Sequence, residues 1–414
     1  MRRSLIPVLC LLCACENTLD VPNDGGVGGG KDGNGSGNGG SGGGTTIADG
    51  AGAGSGSGSG GNPADARYPL FVAQGQLGRT AVSCDGGRTW VGERRSLQTY
   101  RWSPDPKTAD PTWHEIPIAT MSCGSNDGLL LPEGFNCDHY AHPARGVLFG
   151  GGTVMTTFGW GEPGGIFTSQ DGETWKTVLE GTTFGGLAYV QGAWIAGGRS
   201  ARRSVDGGET WSEPFDTSLD SWNVRRVGQT EGFGGRVILL GDNSSAVVSS
   251  DGGETWWRPD VYPSACGGSI QNEGGIVSNG DVWLIVGGDG TVCKSTDGGK
   301  VWSQSSIGKE PSSHVVWNGS VFQAWSRGTL HTSVDGQSWT TQSITPVDLA
   351  IGAVASDERG GLAAMLGGWD TWDENQKFYW SDDGLTWQLA SEFERNDPMR
   401  TIAFGYGKKP ESCR

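Results

Sequence analysis

One short pattern, repeated seven times, constrains this chain more than any other feature. It reads Ser-x-Asp-Gly-Gly-x-Thr-Trp or a slightly shortened form, and its aspartates are Asp85, Asp171, Asp206, Asp251, Asp297, Asp335 and Asp383. Successive aspartates are 86, 35, 45, 46, 38 and 48 residues apart. Asp-Gly-Gly supplies the positive φ of a tight hairpin. The carboxylate can accept backbone N–H groups inside the turn, and flanking Ser and Thr can do the same. The Trp is large enough to fill the gap beside the hairpin. A period near 40–50 residues built on such turns predicts a β-propeller.

Three short, alternately apolar runs precede each turn, and a fourth follows its Trp. In the third unit the runs are 185–190, 193–196 and 201–204; in the fifth, 274–278, 281–286 and 291–295; in the sixth, 313–317, 321–325 and 329–333. Four antiparallel strands make one blade. The first unit starts at residues 67–73 with what reads as its second strand. Its missing inner strand is predicted at 399–407, so the C-terminal strand closes the ring in blade one. An open ring would expose an edge strand at each end. The predicted fold is an all-β, seven-bladed propeller over residues 67–414.

The repeat resembles the Asp-box, or bacterial neuraminidase repeat, and the chain resembles the sialidase-like and sortilin-like propellers and the photosystem assembly factors that carry it. The resemblance covers nearly all of residues 67–414. It implies fold rather than function. It also implies that the Asp-box hairpins lie on one face, and the connections from strand two to three and from strand four to the next blade on the other.

Composition narrows the classes further. Glycine accounts for 74 of 414 residues, without a three-residue period, which excludes collagen. Interior glycine at this level disfavours a helical bundle. The net charge of −16 disfavours a phosphate-backbone partner, so no nucleic acid is expected. No apolar run is long enough for a membrane-spanning helix.

The N-terminus reads as an address. Arg2 and Arg3 precede an apolar stretch, as in a signal peptide. Leu12-Cys13-Ala14-Cys15 resembles the bacterial lipobox, which implies cleavage before Cys15 and lipidation of its thiol. Glu16 follows where an Asp would imply retention at the inner membrane, so an outer-membrane lipoprotein of the cell envelope is expected. The predicted organisation is a signal peptide at 1–14, a lipidated Cys with a disordered Gly/Ser-rich tether at 15–66, and the propeller at 67–414.

No residue is assigned a catalytic role, and no metal or cofactor is expected. The turns lack the alternating oxygens and distal Glu of a calcium loop, so their aspartates and tryptophans (Trp90, Trp175, Trp211, Trp256, Trp302, Trp339 and Trp387) are read as structural and core. His139 and His142 read as an ordinary polar loop. Sialidases hold their substrate carboxylate with three arginines. Arg400 occupies a similar place but lacks the family's surrounding motif, and Arg145, Arg225 and Arg226 also lie near inner strands. Six further cysteines suit an oxidising compartment, with candidate pairs Cys84–Cys413, Cys123–Cys137 and Cys266–Cys293. The longest insertions belong to neighbouring blades one, two and seven. They carry Trp102, Trp113, Trp160, Glu162, Trp369, Asp370, Trp372, Asp373 and Glu374, which form the candidate binding cluster. The expected function is a non-catalytic binding or scaffold domain for a glycan or envelope protein. The alternative is a glycoside hydrolase, either sialidase-like or with paired carboxylates.

Overall fold

A computed structural model describes residues 67–413, except 76–78, 95–98, 103–109, 111, 113, 118–145, 159–163, 181–183, 199, 220–223, 242–244, 269–274, 312, 358, 367–376 and 393–398. Cys15, the expected tether, His139, His142, Arg145 and the pair Cys123–Cys137 lie outside the described residues.

The described chain is nearly all strand, arranged as seven blades. Blade one runs, from inside outward, Met399–Gly407, Tyr68–Gly75, Thr80–Ser83 and Val91–Arg94. Tyr68 pairs with Gly407 and Phe71 with Phe404, so the C-terminal strand closes the ring as expected. The other inner strands are Val147–Gly150, Phe184–Val190, Val224–Thr230, Gly275–Ser278, Val316–Trp317 and Ile351–Ser356. Each lies against the next around the ring, and the last returns to Met399–Gly407. Close approach demands small residues here: a Cβ on Gly405 would sit 2.2 Å from Cγ of Phe149 in the next blade. A two-stranded hairpin, Thr99–Trp102 with His114–Pro117, stands between blades one and two.

Blades three and four depart from the four-strand expectation. Each is a three-stranded sheet. Its fourth strand shrinks to one isolated bridge, Ala201 with Phe215 or Val248 with Trp257. In blade four Pro259, two residues past the bridge, lacks the N–H that the next ladder pair would use. The described outer strands of blades two, five, six and seven contain no proline.

The seven turns share one hydrogen-bond scheme. In every one the Ser hydroxyl donates to the Asp carboxylate, at 2.7–3.0 Å. The same hydroxyl accepts the N–H of the glycine that reaches toward the preceding blade, at 2.8–2.9 Å. In blade four that residue is Gly253, at φ +86°, where a Cβ would lie 2.7 Å from Cγ1 of Ile195 in blade three. The turn therefore locks one blade to the one before it, and only glycine fits both the backbone and the contact.

The turn tryptophans divide. Trp90, Trp175, Trp302 and Trp387 are buried and donate their indole N–H to a turn glycine carbonyl. Trp211, Trp256 and Trp339 are only half-buried and pack against the edges of core clusters. Two of these three belong to the blades without a full outer strand.

Two expected disulfides are formed. Cys266–Cys293 links the segment before blade five to its third strand. Cys84–Cys413 joins the turn of blade one to the C-terminal segment. That segment also crosses to blade two, where Lys408 donates its N–H to the Gln170 carbonyl at 2.7 Å. The buried Glu173 carboxylate accepts the N–H groups of Glu411 and Ser412 at 3.0 and 3.3 Å, and the Ser412 hydroxyl as well.

Candidate functional site

The turns themselves are not a reactive site. Burial works against ionisation of Asp85, Asp251, Asp297 and Asp383, but hydrogen bonds from the turn outweigh it and hold each below the ordinary carboxylate value. In Asp206 the Thr210 hydroxyl contributes most to the same effect. In Asp335 the backbone N–H of Ser338 does so. These carboxylates are consumed by the fold. Among the described residues, no group of three or more His, Cys, Asp or Glu is placed to hold a metal.

The expected aromatic and acidic cluster falls almost wholly outside the described residues. Trp113, Trp160, Glu162, Trp369, Asp370, Trp372, Asp373 and Glu374 all lie there. Trp102 ends its strand, in register with His114.

The starts of the inner strands, which surround the propeller axis at the end opposite the Asp-box turns, are described. Four of them carry a β-bulge at this end. In blade one, Gln74 and Gly75 pair with Thr401 and Met399, leaving Arg400 as the extra residue. In blade four, Val224 and Arg226 pair with Gly241 and Leu240, leaving Arg225. Gly185 is the extra residue in blade three, and one falls between Ile351 and Val354 in blade seven. In two of the four, on blades one and four, the extra residue in the register is an arginine.

The surroundings of Arg400 and Arg226 are polar. Arg400 is 9% exposed. Arg79 and Gln74, at the same end of blade one, are buried. Neither amide atom of Gln74 has a hydrogen-bond partner among the described residues. Arg226 is half-buried and acts on His314, just before the inner strand of blade six. Burial first, and the Arg226 charge second, push that imidazole down to about 4. His314 is therefore neutral at pH 7.

The charge balance of these strands is one-sided. The seven inner strands contain Arg225, Arg226 and Arg400 and no Asp or Glu. The arginines were visible in sequence. The place of Arg225 and Arg400 on bulges was not, because a register slip depends on the partner strand.

The described residues define a seven-bladed β-propeller whose inner strands hold arginine and no Asp or Glu. No family model matches the chain, and no curated protein matches it. Solved structures of similar fold include virginiamycin B lyase from Staphylococcus aureus, at 10% identity and TM-score 0.45, covering 60% of this chain and 84% of that one. They also include YCF48 bound to D1 peptide, at 14% identity and TM-score 0.46, with 65% and 93% covered. A third is the extracellular domain of the one-component system BT4673 from B. thetaiotaomicron, at 9% identity and TM-score 0.44, with 64% and 36% covered. These likenesses extend to the propeller fold alone.

Proposed function

We propose that this chain is a non-catalytic binding or scaffold propeller of the bacterial cell envelope. Cys15 would anchor it by lipid, residues 16–66 would tether it, and residues 67–414 would hold a glycan or envelope protein at the channel mouth. The turn chemistry supports membership of the Asp-box, sialidase-like group. The lipobox and the paired cysteines support an envelope location.

One observation carries the choice of binding over hydrolysis. The inner strands present arginine without a single carboxylate. A glycosidase of the usual kind needs two carboxyl groups, about 5–9.5 Å apart, flanking the scissile bond. A basic mouth suits a ligand bearing an anionic group, which arginine meets through a planar fork of donors.

The test is a glycan array combined with a hydrolysis screen of sialosides and polysaccharides. Retention of anionic glycans without product is the expected result. Turnover of any of them would establish the hydrolase instead.

A further inference from the structure

Two of the seven turns are latched by the chain itself. At blade five, the tail of blade four runs parallel to the turn, with Val261 in register with Val301. Asp260 and Val261 donate their N–H groups to the Lys300 carbonyl at 2.8 and 3.2 Å, and Trp302 donates to the Val261 carbonyl at 3.0 Å. At blade seven, Thr345 donates to Leu385 and accepts from Trp387, both at 2.8 Å. The scheme is the same: an extended segment pairs with the carbonyl two residues before the turn Trp and with the N–H of that Trp.

Blade four has the same turn and no latch. Its corresponding groups are the Glu254 carbonyl and the Trp256 N–H, and neither has a partner among the described residues. The tail of blade three, which could have reached them, folds back instead. Phe215 exchanges both backbone hydrogen bonds with Ala201 of its own blade, at 3.0 and 3.1 Å. A cleft of about 610 Å³ is left between that tail and the blade-four turn. Half-buried Trp211 and Phe215 and exposed Val205 give it an apolar side, and Gly253 and Glu254 form the opposite wall.

We infer that this cleft takes an extended peptide of a partner protein, paired in parallel with Glu254–Trp256 as Asp260–Val261 is paired with Lys300–Trp302. The mode is strand addition, in which backbone bonds give affinity and side-chain pockets give selectivity. Charge complementarity specifies the occupant. In the internal latch, acidic Asp260 is in register with basic Lys300. In the cleft, the corresponding residue is acidic Glu254, and Asp216 adds a second negative charge against the single Arg203, whose Nη2 is 3.2 Å from Glu254. The peptide therefore carries a basic residue followed by a β-branched one. The site belongs to the blade rim and is independent of the channel mouth.

A fluorescently labelled copy of residues 258–263 with Lys in place of Asp260 serves as the probe, and the unaltered copy as its control. Fluorescence polarisation with the folded propeller should give at least tenfold tighter binding of the Lys peptide. Methylating the backbone nitrogens of that Lys and of the Val after it should weaken binding at least tenfold, because the methyl groups remove both donors to the Glu254 carbonyl. Glu254→Lys alters an exposed side chain and should reverse the preference between the two peptides. Absence of saturable binding by the Lys peptide would overturn the inference. So would indifference to N-methylation, or an unchanged preference in the Glu254→Lys variant.

Discussion

Cys84 and Cys413 are bonded across 329 positions of sequence, and the bond ties the end of the chain to the turn of the first blade. Ring closure rests on the inner strand just before it, paired along its length with Tyr68–Gly75. Cross-linking a loop of that length removes much of the freedom of the unfolded chain, with a typical gain of about 2–4 kcal/mol. Cys84→Ser with Cys413→Ser should lower the Tm by roughly 5 °C. Removing Cys266–Cys293, which closes only 27 residues, should cost less. Circular-dichroism melts of the two double variants make the comparison.

Adjacent glycines of one turn should respond differently to alanine. Gly252 is at φ +66° with its nearest neighbour 3.6 Å from a new Cβ. Gly252→Ala should therefore cost about 1 kcal/mol of backbone strain. At Gly253 a Cβ meets Ile195 at 2.7 Å, and overpacking adds about 1–3 kcal/mol. Urea denaturation should rank Gly253→Ala well below Gly252→Ala.

The Ser and Asp of each turn serve different backbone groups. Ser249→Ala leaves the buried N–H of Gly253 unpaired, at a cost of about 1–3 kcal/mol. Asp251→Ala frees the N–H groups of Glu254 and Thr255, which are exposed. Water replaces part of that loss, so the expected cost is about 1 kcal/mol. Chemical denaturation of both variants should give the larger loss for serine.

Acid should weaken the fold in two stages. Unfolded, the His314 imidazole takes a proton below about 6.5, whereas folded it resists to about 4. Protonation therefore favours the unfolded chain across that interval, and stability falls as the pH drops through it. His331, buried against Ser326 and Thr341, is also lowered, by burial first and the Lys309 charge second. The turn carboxylates are held below 3.8, so their contribution is present above that value and is lost as the pH falls further. The His314→Asn variant should make the arm between pH 6.5 and 4 shallower, leaving the His331 share, and leave the lower arm unchanged. Stability measured by denaturation across pH 3–7 checks both arms.

The fold was legible because its repeat is local. Ser, Asp, Gly and Trp interact within seven or eight residues, so one turn can be read without knowing its neighbours. The shortened outer strand of blade four was also written in the sequence, at Pro259. The half-buried state of Trp211 could not be seen from the motif. Register was beyond reach: Arg400 and Arg225 become bulge residues through their partner strands, Gln74–Gly75 and Leu240–Gly241. Likewise Glu173, one of several acids in its motif class, gains its role from residues 411 and 412, far along the chain.

The proposed function is binding without cutting, at inner strands that hold arginine and no Asp or Glu. Mass spectrometry of anionic glycans recovered after prolonged incubation with the protein tests it most directly, with wild type and Arg226→Ala compared in parallel. The expected result is that wild type retains intact glycan, and that Arg226→Ala retains at least tenfold less while its melting curve stays close to wild type. Recovery of shortened or desialylated glycan from wild type, or equal retention by the variant, would contradict it.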